Sequence, residues 1–249
     1  TPKPSSAASD VYKRQVYYET LKNRYPNVRI LTWKKEFNYS AINNFAVREA
    51  RGEYLLFLNN DVEIITESWL EEMLQLCQQK DVGMAGAKLY YPDDTIQHAG
   101  VVVGLGGVAA HVLCKLPRDA EGYMGRLRCV QEISAVTAAC MMVKTSVFKA
   151  VGGFDEELKV AFNDIDLCMK VRKYGVKIVF TPYAELYHYE SKSRGMEDTP
   201  EKQLRFSREV NCFRRKWERE LLKGDPYYNP NLTLNNTDCS LRKQEKNGD

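Results

Sequence analysis

An α/β fold with a mostly parallel sheet flanked by helices is what this sequence predicts, and three observations predict it. Tyr54 to Leu58 is a short, continuous apolar run closed by turn-formers, the pattern of a strand covered on both faces. A strand pattern at Val28 to Trp33, a helical pattern from Ser40 to Ala50 and the strand at Tyr54 follow one another, an order that favours parallel pairing. With 249 residues, 44% hydrophobic and 28% charged, the chain is large enough for one such domain.

Composition closes off several function classes. A formal charge of +3 is too small to argue for a nucleic-acid partner. The seven cysteines are odd in number and contain no Cys-x-x-Cys pair, which speaks against a zinc site and a disulfide framework and fits a reducing cytoplasm. No run approaches the roughly 18 apolar residues of a membrane span, so the expected location is cytoplasmic, with peripheral contact at the inner face of a membrane left open.

Taken in order, residues 1–15 are rich in Pro, Ser and Ala without periodicity and are set aside as a non-native or disordered leader. A short helix from Val16 to Tyr25 is closed by Pro26. Ser40 is the expected N-cap of the next helix, with Ile42, Phe45, Ala46 and Ala50 inward and Gly52 as its left-handed stop. Ser68 and Glu71 form a capping-box pattern ahead of the Trp69, Met73, Leu76 stripe. Val82 to Leu89 is a strand, and the weakly periodic stretch from His98 to about Arg128 is long enough to suggest a functional loop. Ser134 to Val143 is a small, apolar strand, and Thr145 caps a short helix ending at Gly152-Gly153. Asn163 caps a helix with Leu167, Val171 and Tyr174 on its stripe and Gly175 at its end. Lys177 to Phe180 is a strand stopped by Pro182, and a second at Glu185 to Tyr189 delivers His188. Residues 190–195 have lid composition, Thr199 to Lys223 is a long amphipathic helix, and the tail 243–249 is expected to fray.

In open α/β sheets ligands sit outside the carboxyl ends of the strands, so Asn59-Asn60-Asp61 is a candidate site for a metal and an anionic substrate. By itself the same tripeptide is equally a turn capping a strand. The segments Phe37-Asn38-Tyr39-Ser40-Ala41-Ile42-Asn43-Asn44, Ala50-Arg51-Gly52-Glu53-Tyr54 and Leu58-Asn59-Asn60-Asp61, with Gly152-Gly153-Phe154-Asp155-Glu156 and Phe162-Asn163-Asp164-Ile165-Asp166, together resemble the family 2 glycosyltransferases. The nearest resemblance is to rhamnosyltransferase-like members that build surface polysaccharide and O-antigen.

The resemblance implies a GT-A fold: a mixed, mostly parallel sheet flanked by helices, over residues 16–242. In the resembled family two strands and a helix precede the helix that starts near Val16. The expectation is therefore a fragment lacking its first strands, with Val28 to Trp33 as an unpaired edge. It also implies inverting transfer of a sugar from a nucleotide-diphosphate sugar, dTDP-rhamnose among the candidates, to a saccharide or lipid-linked saccharide acceptor. Asp61 and His188 would hold Mn²⁺ or Mg²⁺, and Asp164 would be the general base. Asn38, Asn43, Asn59, Asn60, Lys192 and Arg194 would contact donor and diphosphate, with His98 and Asp166 on the acceptor side. Read without the resemblance, His98 and His111 are ordinary hydrogen-bonded histidines, and Asn163, Asp164 and Asp166 only cap and charge a helix start. Two competing classes remain open. A metal-dependent phosphoester hydrolase would want a denser carboxylate and histidine cluster than three histidines allow, and a GT-A-like binding or scaffold domain would keep the fold without turnover.

Overall fold

Helices are interspersed with runs of strands along the described residues, and a long helix is the last of them. In order, the elements are α1 (residues 16–24), α2 (Tyr39–Glu49), β1 (Tyr54–Leu58), β2 (Val62–Ile64), α3 (Trp69–Gln78), β3 (Val82–Tyr90), β4 (Ile96–His98), β5 (Val101–Val103), β6 (Ala109–His111), β7 (Gln131–Glu132), β8 (Cys140–Lys144), α4 (Thr145–Ala150), α5 (Asn163–Lys173), β9 (Lys177–His188) and α6 (Pro200–Lys223). This computed structural model describes residues 16–189 and 199–243. The leader at 1–15, the lid-like segment with Lys192 and Arg194, and the tail from 244 lie outside the described residues.

Two compact units divide the chain, Thr1–Phe37 and Asn38–Asp249. In the first, α1 is followed by a turn, and the strand expected at Val28 to Trp33 is not formed. A strand holds its shape only within a ladder; Val28 and Leu31 instead stand exposed.

The second unit is built on β3, buried along its whole length. The main sheet runs β1-β8-β3-β9-β2, with β4 on β3 and β7 on β9, and β5-β6 form a separate ribbon. The α/β class and a mixed sheet are as expected, but a mostly parallel sheet is not what forms. Among the described residues only β3 and β9 pair in parallel, while β1-β8, β8-β3, β9-β2, β3-β4 and β7-β9 are antiparallel. The physical reason is an insertion. β1 and β3 do point the same way, as a helical crossover requires, but β8 arrives later in the chain and runs the other way between them.

Helices cover both faces. On one, Trp69, Met73 and Cys77 of α3 pack on Ala85, Ala87, Leu89 and Met142. On the other, Ile165, Leu167 and Val171 of α5 and Phe213 and Trp217 of α6 pack on Met84, Ile178 and Phe180. Each fully buried large side chain contributes about 1.5–3 kcal/mol.

Local departures from the expected caps have local causes. Asn38, not Ser40, caps α2 by accepting from the Ala41 amide at 3.0 Å, while the Ser40 hydroxyl is buried and donates to the Leu158 carbonyl at 2.6 Å. α2 stops as Ala50 turns extended (ψ 141°), before Gly52. Ser68 makes no capping bond, so the capping box is absent. Phe162, at φ 60°, caps α5 in place of Asn163, and Tyr174 lies exposed rather than on the buried stripe; Gly175, at φ 96°, does end the helix. The two strands expected around Pro182 are one, β9. Pairing skips from Gly86–Phe180 to Lys88–Glu185, so Pro182 falls in an irregularity where its missing N–H costs no ladder bond. Of the strand expected at Ser134 to Val143, only the part from Cys140 joins the sheet; residues 134–139 leave it.

Those six residues press on β3. A Cβ on Gly86 would lie 2.3 Å from Cγ1 and 2.5 Å from Cβ of Val136, close to backbone that cannot swing away. Gly86→Ala is therefore expected to lower unfolding free energy by about 1–3 kcal/mol through overpacking, read as a lower urea midpoint with an unchanged m-value.

Candidate active site

The turn after β1 and the end of β9 meet because β2 pairs with β9 in a register that sets Val62 opposite His188. The Tyr189 amide donates to the Asp61 carbonyl at 2.8 Å and secures that end of the ladder. Asp61 Oδ1 then stands 3.3 Å from His188 Nε2, and Asn59 Nδ2 stands 3.1 Å from the same nitrogen. Asp61 is half-buried and His188 is buried, while Asn60 projects outward from the turn. Below the ring, Gln97 of β4 contacts His188 twice, with Oε1 at 2.7 Å from Nδ1 and Nε2 donating to the backbone carbonyl at 3.2 Å.

Asp164 sits one residue into α5, half-buried, and each of its oxygens has an anchor. Oδ2 accepts from the Ala138 amide at 3.1 Å and Oδ1 from the Ile165 amide at 2.8 Å. The neighbouring peptides carry the rest of the site. Asn59 donates its amide to the Ala139 carbonyl at 3.0 Å, and the Tyr39 hydroxyl donates to the Ala138 carbonyl at 3.2 Å. Burial, and then the charge of Asp164, raise the Tyr39 phenol, so it stays a donor. The base candidate and the turn bearing Asp61 thus hang on adjacent peptides of one segment.

Other predicted residues are placed differently. Asp166 has no exposed surface: Oδ1 receives the Trp217 indole N–H at 2.8 Å and Lys216 at 2.8 Å, and Oδ2 lies 3.2 Å from Lys170. It therefore fixes α6 to α5 and presents nothing to an acceptor. Burial opposes the Lys216 charge, but Asp155 and Asp166 outweigh it and raise its pKa. Asn38 Nδ2 donates to the Glu156 carbonyl at 2.9 Å and Asn43 Nδ2 to the Tyr39 carbonyl at 2.8 Å, so both amides serve the local fold. His98, expected on the acceptor side, is wholly buried, with Nε2 3.4 Å from the Thr137 amide and Nδ1 3.2 Å from His111 Nδ1. A cavity of about 280 Å³ lies alongside, lined by Gln97, His111, Thr137 and His188.

Two site residues escaped the sequence reading. Gln97 is one polar residue in a three-residue strand, with no motif to mark it. Glu209 is buried in α6 and accepts from the Val160 and Ala161 amides at 3.0 and 2.9 Å, fixing the loop that leads into Asp164. A glutamate among arginines on an amphipathic helix reads as solvated, and only contact reveals otherwise.

Burial, and next the proximity of His111, push His98 well below the ordinary histidine pKa. The unfolded chain binds the proton that the folded chain refuses, so stability is complete above about pH 6.5 and falls as pH drops below it, by at most about 1.4 kcal/mol per unit for one proton. Thermal melts from pH 7.5 to 5.5 are expected to show this slope in the native chain and a flatter one in His98→Gln.

Comparison with known proteins places the chain in a family and a fold. The family described as glycosyltransferase-like matches residues 11–209. The y4gI protein of Sinorhizobium fredii is 56% identical over 215 residues, which are 86% of this chain and 24% of that protein. The O-antigen biosynthesis protein RfbC of Myxococcus xanthus is 42% identical over 225 residues, 90% of this chain and 17% of that one. The chain thus spans a quarter or less of the length of these relatives. A Mycobacterium tuberculosis N-acetylglucosaminyl-diphospho-decaprenol L-rhamnosyltransferase is 36% identical over 62 residues, 25% of this chain and 20% of that one. Among solved structures, GalNAc-T7 with UDP, GalNAc and Mn²⁺ has a TM-score of 0.63 at 13% identity, covering 85% of this chain and 40% of that one. The mannosyltransferase PcManGT from Pyrobaculum calidifontis, with GDP-Man and Mn²⁺, has a TM-score of 0.56 at 14% identity, covering 82% and 51%. With its motifs, its mixed sheet and its family match in agreement, the chain belongs to the family 2 glycosyltransferase-like proteins and has the GT-A fold.

Proposed function

We propose that this chain carries the catalytic centre of a metal-assisted, inverting glycosyltransferase that moves a sugar from a nucleotide-diphosphate sugar to a saccharide or lipid-linked saccharide hydroxyl in surface-polysaccharide assembly. The observation that carries this reading is the approach of a carboxylate oxygen and an imidazole nitrogen, Asp61 Oδ1 and His188 Nε2, to 3.3 Å at the end of the sheet. Two such groups side by side are a donor set suited to Mn²⁺ or Mg²⁺, with the imidazole favouring Mn²⁺. Among the described residues no group of three or more His, Cys, Asp or Glu could hold a metal. Two protein ligands leave coordination positions for phosphate oxygens, as in other nucleotide sites. An ion held there would offset the charge that builds on the departing diphosphate.

Asp164 is the proposed base. Its anchoring amides hold the carboxylate still while leaving it lone pairs to take a proton from an acceptor hydroxyl. One base and one displacement give inversion at the anomeric carbon. The O-antigen and rhamnosyltransferase names of two relatives favour a polysaccharide product and make dTDP-rhamnose the first donor to try. No described helix is long and apolar enough to cross a membrane, which is compatible with action at the inner membrane face on a lipid-linked acceptor.

Asp164→Asn is expected to lower kcat by about 10²–10⁴-fold while Mn²⁺ and donor affinity stay within a few-fold; retention of more than about a tenth of kcat would refute the base assignment. Asp61→Ala and His188→Ala are each expected to weaken Mn²⁺-dependent donor binding, and the double variant to do little worse than either single one, because the two act on one ion. Unchanged Mn²⁺ dependence in both single variants would remove the metal reading.

A further inference from the structure

Gln97, 4% exposed in the middle of β4, engages His188 with both ends of one side-chain amide. Its Nε2 donates to the His188 carbonyl at 3.2 Å, and a carbonyl can only accept, so this contact fixes which way the amide points. Oε1 is then the atom 2.7 Å from His188 Nδ1, and since Oε1 also only accepts, Nδ1 carries the proton. In the neutral ring Nε2 is left with its lone pair. Asn59 Nδ2, a donor 3.1 Å from Nε2, agrees with that assignment.

The other tautomer has a ready competitor. If the proton sat on Nε2, it would point at Asp61 Oδ1, 3.3 Å away, and close a hydrogen bond between the two groups proposed to share an ion. Without an acceptor at Nδ1 that arrangement would win, because an Nδ1–H would be left buried and unpaired at a cost of about 1–3 kcal/mol. We infer that Gln97 is a positioning residue that holds His188 as its Nδ1–H tautomer, so that Nε2 keeps its lone pair beside Asp61 instead of donating a proton to it. The inference rests on the proposed metal role for the purpose served, and on the amide geometry for the tautomer itself. Gln97 is itself fixed, its strand paired to β3 and its backbone carbonyl 3.0 Å from His111 Nδ1. Partners of this kind, behind a ligand rather than on the ion, typically change metal affinity by about 10–100-fold.

The chain has three histidines, so imidazole tautomers can be read directly from long-range ¹H–¹⁵N correlation spectra at pH 8, with His188→Ala to assign the signal. Gln97→Met keeps length without an acceptor, Gln97→Glu keeps the acceptor, and thermal melts report that each is folded. The native chain is expected to show Nδ1–H at His188. Gln97→Met is expected to shift it to Nε2–H and to need at least about tenfold more Mn²⁺ for half-maximal paramagnetic broadening of the His188 signal. Gln97→Glu is expected to keep the native tautomer. An Nε2–H tautomer in the native chain overturns the inference, as does an unmoved tautomer in Gln97→Met or a lost one in Gln97→Glu. Should Mn²⁺ broaden His188 in no variant while the tautomers move as expected, the metal reading fails and the role of Gln97 in fixing the ring stands.

Discussion

Four consecutive peptides, Val136 to Ala139, leave the sheet just before β8, and the polar groups they free must be paired elsewhere. Their partners lie in and around the candidate site. The Val136 amide meets Cys168 Sγ, the Thr137 amide His98, the Ala138 amide Asp164 and its carbonyl Tyr39, and the Ala139 carbonyl the amide of Asn59. Four parts of the fold, α5, β4, α2 and the turn after β1, are tied to one irregular segment, and the segment can lie this close because its side chains are small and Gly86 beneath it has none. Had residues 134–139 continued the strand as their apolar character suggests, the same groups would have been spent on a ladder and Asp164 would have no fixed place relative to Asp61.

A second constraint holds α5 from behind. Asp166 is a fully buried carboxylate, which would be costly alone, and it is compensated by two lysines and an indole N–H. Removing one partner would leave a buried charge, so the cluster makes α5 and α6 a single body. Glu209 adds a third tie ahead of α5, at the amides of Val160 and Ala161, where the backbone then turns left-handed at Phe162. The sequence signature Gly152-Gly153-Phe154-Asp155 belongs to the same assembly. Asp155 pairs with Lys216, Lys170 donates to the Gly153 carbonyl, and Phe154 exchanges two hydrogen bonds with Asn44 of α2. Several motif residues therefore build the frame around the chemistry and do not touch it.

What the sequence determined by itself was whatever depends on near neighbours: the α3 stripe, the span of α6, the Gly175 stop, the strand at Tyr54, and, through spaced motifs, the family. Only the tertiary structure decided adjacency and burial. Strand-helix-strand order gives β1 and β3 a common direction but says nothing of a third strand entering between them from eighty residues on. Asp164 and Asp166, two residues apart in one motif, differ because a helical turn points one toward the Ala138 amide and the other beneath Trp217. Gln97 and Glu209 carry no local signal, since a polar side chain acquires a role only from the group that long-range packing sets against it, and that pairing is written in the fold rather than in any short stretch of residues.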